Sequence, residues 1–254
     1  TWYEAAGRTE FAIEHAFEGG DVDTAARLFG AVAVRIHYRG QDDLLNRWFG
    51  RFAPEDFQRH PGLATLYGWL HGFEGRAEAA DRMAALADRW TIEGSVGDGA
   101  ASFESSRALL NAILMRHGVD DALANASLAV SAEQAGSVFR MTALNELATV
   151  RMLRGETDAA DAIWIEAVSS EGGSGAIPYL PLACRAELAI ERGDWSAAGR
   201  LARQAHDALE RSGIGAIATT LMVHAVNARV AVHRGDRRLA DEELTHGLLV
   251  RPQV

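Results

Sequence analysis

A single E-x-x-H pair, Glu243 and His246, is the nearest approach to a metal motif in this 254-residue chain. Three residues apart on a helix, a carboxylate and an imidazole share a face. A di-iron bundle needs two such pairs and two further Glu, and no second E-x-x-H occurs. The nine His are otherwise scattered, and none stands four residues from another, the spacing of a helical zinc pair. The expectation here is a solvated helix face, with no metal and no cofactor. Gly172-Gly173-Ser174-Gly175-Ala176 falls short of a nucleophile elbow, because Ala replaces the last glycine and no strand leads into it. Gly94-Ser95-Val96-Gly97-Asp98-Gly99 is glycine-rich, but again no strand feeds it, so it does not read as a phosphate cradle. Cys184 sits among helically spaced apolar residues and reads as a packed core thiol rather than a nucleophile. All 25 basic residues are Arg. Without Lys there is no P-loop, no kinase-type lysine and no Schiff base. No cluster of acids and bases stands out, so a non-catalytic chain is expected.

Composition narrows the class further. A net charge of −10 argues against gripping nucleic acid or an anionic membrane. Hydrophobic residues make up 48%, enough for a large core. The lone cysteine rules out an internal disulfide framework and points to a reducing, cytoplasmic setting. No apolar run approaches the roughly 20 residues of a membrane helix. The Arg, Ala and Gly bias suggests a G+C-rich, bacterial genome. The opening at Thr1, with no signal-peptide pattern, and the close at residues 251–254, with no polar capping helix, give the expectation of a piece of a longer repeat protein.

The elements that would carry these residues repeat. Residues 142–167 hold two apolar-periodic runs around Gly155, with Ala143, Leu147, Val150 and Leu153 on one and Ala159, Ile163 and Ala167 on the other. Apolar steps of three and four residues, interrupted by a glycine and a polar cluster, predict a helix–turn–helix hairpin. Three small residues mark its close contacts: Ala148, Ala160 and Ala167. The same register recurs at Gly75 (Gly68, Ala80, Ala87), Gly193 (Ala186, Ala198, Ala205) and Gly235 (Ala228, Ala240, Gly247). It fits at Gly118 if one turn residue is inserted, giving Ala112, Ala124 and Ser131. Paired helices at this period predict an all-α, tetratricopeptide-like right-handed superhelix, an α-solenoid of about seven helix hairpins. The Gly/Ser-rich linkers at residues 91–106 and 169–178 are expected to be mobile loops on one rim. Residues 1–60 read as an N-terminal arm with the first hairpins, and residues 61–254 as one continuous array.

Trp2–Tyr3, Ile13–Glu14–His15–Ala16, Gly20–Asp21 and Trp48, together with the repeat character of nearly the whole chain, resemble the helical region of MalT-like, LuxR-family transcriptional regulators. The resemblance implies a signal-transduction NTPase ahead of this segment and a helix-turn-helix domain after it. Neither a Walker lysine nor a DNA-binding helix lies in the 254 residues. It further implies a sensor that holds a small-molecule inducer or a protein partner and passes the signal to those domains, with a homo-oligomer as one outcome. The alternative is a tetratricopeptide adaptor that binds peptide partners and no small molecule. In either case the first helix of each hairpin would line the concave surface. Its exposed positions would be Thr65 and Trp69, Asn145 and Thr149, Ala183 and Glu187, Ala225 and Arg229. Of these, Thr65, Trp69, Asn145, Thr149, Glu187 and Arg229 are the candidate ligand-binding side chains.

Overall fold

The computed structural model describes residues 2–170, 177–214 and 217–250, and every side chain among them except those of Trp2 and Ala5. The expected Gly172–Ala176 stretch, the side chain of Trp2 and residues 251–254 therefore lie outside the described residues. Helices follow one another along the chain: α1 (Trp2–Ala5), α2 (Thr9–Glu18), α3 (Val22–His37), α4 (Asp42–Phe49), α5 (Pro54–Arg59), α6 (Pro61–Phe73), α7 (Ala77–Ala87) and α8 (Phe103–Leu114). They continue as α9 (Val119–Ala132), α10 (Arg140–Leu153), α11 (Thr157–Ser169), α12 (Tyr179–Glu191), α13 (Trp195–Ser212), α14 (Leu221–Arg234) and α15 (Arg237–Leu249). A 3-10 turn, Ala218–Thr220, leads into α14.

Local chemistry starts and stops these helices. Asp21, Ser102, Asp194 and Asp236 cap α3, α8, α13 and α15 by accepting the backbone N–H three residues on. At Gly75, Gly155, Gly193 and Gly235 the chain takes the left-handed conformation, with φ of 78, 78, 73 and 76°. There the next residue's N–H bonds back to the carbonyl five residues earlier, as in Glu156 N to Arg151 O at 2.9 Å and Asp236 N to Ala231 O at 3.0 Å. Helix pairs α2/α3, α6/α7, α8/α9, α10/α11, α12/α13 and α14/α15 form hairpins, with the short α4 and α5 between the first two. The first helices α6, α8 and α10 pack on one another in turn, as do α12 and α14, so first helices form one layer and second helices the other.

The small residues sit where the hairpin helices cross. Ala80, Ala87, Ala148, Ala160, Ala167, Ala186, Ala198 and Ala205 have no exposed surface. A Cβ on Gly68 would stand 2.9 Å from Leu110 Cδ2 and 3.0 Å from Met83 Cβ. Backbones can approach this closely only around a methyl group or less.

The repeat at Gly118 departs from the expected register. Ala124 and Ser131 are exposed, and the fully buried residues of α9 are Ala122, Ala126 and Ala129. Ala112 and Ala122 are ten residues apart, where Gly68 and Ala80, or Ala148 and Ala160, are twelve apart. The turn is shortened rather than lengthened. α8 ends early because Met115 takes the left-handed conformation (φ 47°), and Gly118 caps α9 instead of terminating α8.

The 91–106 linker, expected as a rim loop, is tied down at Asp98. Its last residues begin α8, and of the rest Asp98 and Ala100 are buried while most of their neighbours stay exposed. The Gly97 carbonyl oxygen lies 2.6 Å from where a Cβ on Gly30 would stand, and that of Val96 lies 2.8 Å from the equivalent point on Gly62. Helices α3 and α6 carry glycine there because loop backbone lies directly against them. The loop is anchored by Asp98, which is fully buried. It accepts from Thr65 Oγ1 at 3.0 Å, Ser106 Oγ at 2.5 Å and Ala100 N at 3.1 Å. Burial raises its pKa even against these bonds.

The corrected register is testable within one helix. Ala122→Leu forces α8 and α9 apart and costs about 1–3 kcal/mol in chemical denaturation. Ala124→Leu, two residues on and exposed, changes stability by no more than about 0.5 kcal/mol.

Candidate functional site

Six side chains were expected together on an exposed concave face, and the structure separates them. Thr65, Trp69, Asn145 and the neighbouring Ala183 are buried, because the end of α3, the 91–102 loop and the segments entering α12 and α14 lie against the first helices. Thr65 belongs to the Asp98 anchor. Thr149 is half-buried on α10. Glu187 and Arg229 meet in an ion pair between α12 and α14, and Arg229 also reaches Glu191 at 3.1 Å. Trp69 and Asn145 do converge, on a small cavity of about 40 Å³.

That cavity is small and mostly apolar, with polar groups set into its walls. The end of α3 supplies His37 and Tyr38, α6 supplies Trp69, α10 supplies Thr142, Asn145 and Glu146, and Tyr179 and Thr219 come from the starts of α12 and α14. Tyr38 and Thr142 share a hydrogen bond of 2.6 Å across 104 residues of sequence, and Tyr179 and Thr219 share one of 2.9 Å. Trp164 Nε1 donates to Asn145 Oδ1 at 3.2 Å, and Asn145 Nδ2 donates to Glu146 Oε1 at 3.3 Å. The indole N–H of Trp69 is buried with no hydrogen-bond partner among the described residues. A buried donor left in this state costs about 1–3 kcal/mol. The cavity has room for about two water molecules, and a metabolite would need the walls to part.

Burial sets the protonation of the walls. It pushes Tyr179 up to about 12. It does the same to the nearby Cys184 thiol, at about 12, helped by the charges of Glu146 and Glu187. Tyr38 is raised too, again by burial. Glu146 is raised by burial to about 7, against the hydrogen bond from Asn145. It therefore changes charge near neutral pH, while the hydroxyls around it stay protonated.

A wider groove of about 640 Å³ opens beside this cavity. Phe49, Phe52, Phe57 and Tyr67 form an aromatic wall, and Asp42, Asp43, Glu74 and Arg76 stand around it together with Asn46 and His71. Ile217 and Ala218 close the far side. Asp42 is tied to the inner cavity through His37 Nδ1 at 2.7 Å. Burial raises the Glu74 carboxyl, but hydrogen bonds from His71 (2.8 Å) and Asn46 (3.1 Å) outweigh it and hold the group below the usual range. Three acidic side chains thus stand in the groove: Glu74 pairs with Arg76 at 3.4 Å, Asp42 with His37, and Asp43 is exposed.

Hairpin after hairpin, with first helices inside and second helices outside, decides the fold. It is a tetratricopeptide-like α-solenoid. Among solved structures the chain is similar to BtubC (BKLC) from P. vanneervenii, with a TM-score of 0.52 and 15% identity over 87% of this chain and 89% of that one. Two structures of a kinesin-light-chain-like protein from Podosopora anserina with nearly identical TPR-like repeats align with TM-scores of 0.44 and 0.42. Their identities are 17% and 16%, over 78% of this chain and 95% and 96% of theirs. No protein-family model matches the chain, and no curated protein matches it in sequence.

Glu146, Tyr38, Tyr179 and the acids of the wider groove join the site without any mark in the helix register. Burial of Glu146 is a tertiary effect. The residue lies on a helix that the fold buries from Thr142 through Ala148 without a break, which the mixed spacing of polar and apolar residues there does not mark. Nothing in the spacing brings Tyr38 to Thr142.

Glu146 gives a pH prediction. Its folded pKa of about 7 lies above the ordinary value of 4.5. The folded chain therefore holds more protons than the unfolded chain between those values. The contribution of this group to stability falls as pH rises through that window, by up to about 3 kcal/mol, and is flat above it. Melting profiles of wild type and Glu146→Gln should show the variant gaining on wild type as pH rises from 5 to 7.5, with parallel behaviour at higher pH.

Proposed function

We propose that this chain is a non-catalytic protein-interaction segment whose wider inner groove holds a basic stretch of a partner protein. The observation that carries the reading is the pairing of aromatic wall and carboxylates in that groove. An Arg or Lys side chain lays its apolar stem on Phe and Tyr faces while its cation meets Asp42, Asp43 or Glu74. The inner layer of a helical repeat array is a preformed surface for an extended segment, so little ordering cost falls on the array itself. The tetratricopeptide-like fold supports a scaffold of this kind.

Fluorescence anisotropy with a labelled arginine-rich peptide tests it. Binding is expected, with affinity falling as salt rises. Exposed Asp43→Arg should weaken it roughly five-fold at low salt. An equal affinity for the matching glutamate-rich peptide would refute the reading.

A second reading is favoured by the smaller cavity. A small polar ligand between Trp69, Asn145 and Glu146 would satisfy the orphan indole N–H and bind together the end of α3, α10 and the start of α12. In that reading the chain is the sensor of a MalT-like, LuxR-family regulator, passing an inducer's presence to NTPase and helix-turn-helix domains elsewhere in the protein. A coupling of about 1–3 kcal/mol suffices for such a switch. The gene sequence on either side of this segment separates the two: those two domains support the regulator, and other neighbours support the adaptor.

A further inference from the structure

The lone E-x-x-H of the sequence does not stand alone in space. Helix α14 passes α15 at Gly247, where an added Cβ would lie 3.2 Å from Leu221 Cδ1 and 3.7 Å from His224 Cβ. That close approach sets His224 against the face of α15 that carries Glu243 and His246. One ligand atom from each of His224, Glu243 and His246 lies within 4.8 Å of the others. His224 Nδ1 is 2.7 Å from Glu243 Oε2, and the rings of His224 and His246 are 5.6 Å apart. From α13, His206 places Nδ1 3.4 Å from the other carboxylate oxygen, Glu243 Oε1. Three of the nine His thus come together from three successive helices around one acid.

The state of these groups points to a ligand. Glu243 is only 4% exposed, and both of its oxygens face imidazole nitrogens. The His206 Nδ1 atom is buried with no hydrogen-bond partner among the described residues. We propose that His224, Glu243 and His246 form a site for a divalent transition metal of the zinc class, with His206 orienting Glu243 from behind. Two imidazoles and a carboxylate are the donor set of borderline ions such as Zn²⁺ and Co²⁺, not of Mg²⁺ or Ca²⁺. A tetrahedral ion about 2.0–2.1 Å from each donor spaces its ligands about 3.3 Å apart. The 2.7 Å contact therefore opens slightly and the widest separation closes, within reach of side-chain rotation. His246 is exposed, so the fourth position faces solvent. His206 then donates to Glu243 Oε1 and fixes the carboxylate, as outer-shell partners of metal ligands do.

Untagged protein, stripped with chelator and dialysed, is titrated with Zn²⁺ by calorimetry and with Co²⁺ by visible absorption. The expected result is one ion per chain, a tetrahedral Co²⁺ spectrum and no uptake of Mg²⁺. His246→Ala changes an exposed residue, so the chain should melt normally without metal yet lose the Co²⁺ spectrum. His206→Gln should weaken Zn²⁺ binding by about 10–100-fold. His15→Ala, far from the cluster in sequence and on α2, should bind as wild type does. Failure to bind Zn²⁺, or His246→Ala binding with unchanged affinity and spectrum, would overturn the proposal.

Discussion

Where the two helices of a hairpin cross, a methyl group or a single hydrogen separates their backbones. Ala148 against α11, Ala186 against α13 and Gly68 against α7 and Leu110 are such points, and none leaves surface for solvent. Each crossing holds one hairpin rigid, and larger side chains such as Leu144, Trp164 and Leu188 then fill the space between neighbours. Because each hairpin presents the same pair of faces, stacking sorts first helices into one layer and second helices into another. The inner layer, and whatever it can recognise, follows from that sorting.

The inner layer is not left to water. Tyr38 at the end of α3 meets Thr142 on α10, and Tyr179 meets Thr219, so segments distant in sequence close over the centre of the array. Closure explains how one helix can bury both Asn145 and Glu146, and why the carboxyl of Glu146 is held near neutrality. The wider groove between α4, α6 and the Ile217–Ala218 segment stays open beside this closed centre. The Asp98 loop serves the same closure from another side, by locking α3, α6 and α8 through Thr65 and Ser106.

The repeat was legible because its cause is local and recurrent. A small residue at a crossing and a glycine at a turn leave the same mark in each hairpin, so Ala160, Ala198 and Ala240 could be placed by counting. Counting failed at Gly118, where Met115 takes a conformation that glycine takes elsewhere and shortens the turn. It failed again for the 91–106 linker, since polarity in sequence does not reveal that Asp98 finds three donors and is buried. For the candidate site the helix register found Trp69 and Asn145 but expected them to be exposed. Their burial depends on Tyr38 and Tyr179 arriving from other repeats, which no spacing within a hairpin encodes. The E-x-x-H pair is the same lesson: Glu243 and His246 are visible in the sequence, while His224 and His206 join them only through the crossings of α13, α14 and α15.

The proposed recognition lies in the inner layer, while the alanine-lined crossings serve the fold alone. Hydrogen–deuterium exchange of the chain with and without a saturating arginine-rich peptide maps this directly. Added protection is expected in α4, in α6 and in the segment leading into α14, with α7, α9 and α11 unchanged. Protection confined to those second helices, with the inner groove unaffected, would contradict it.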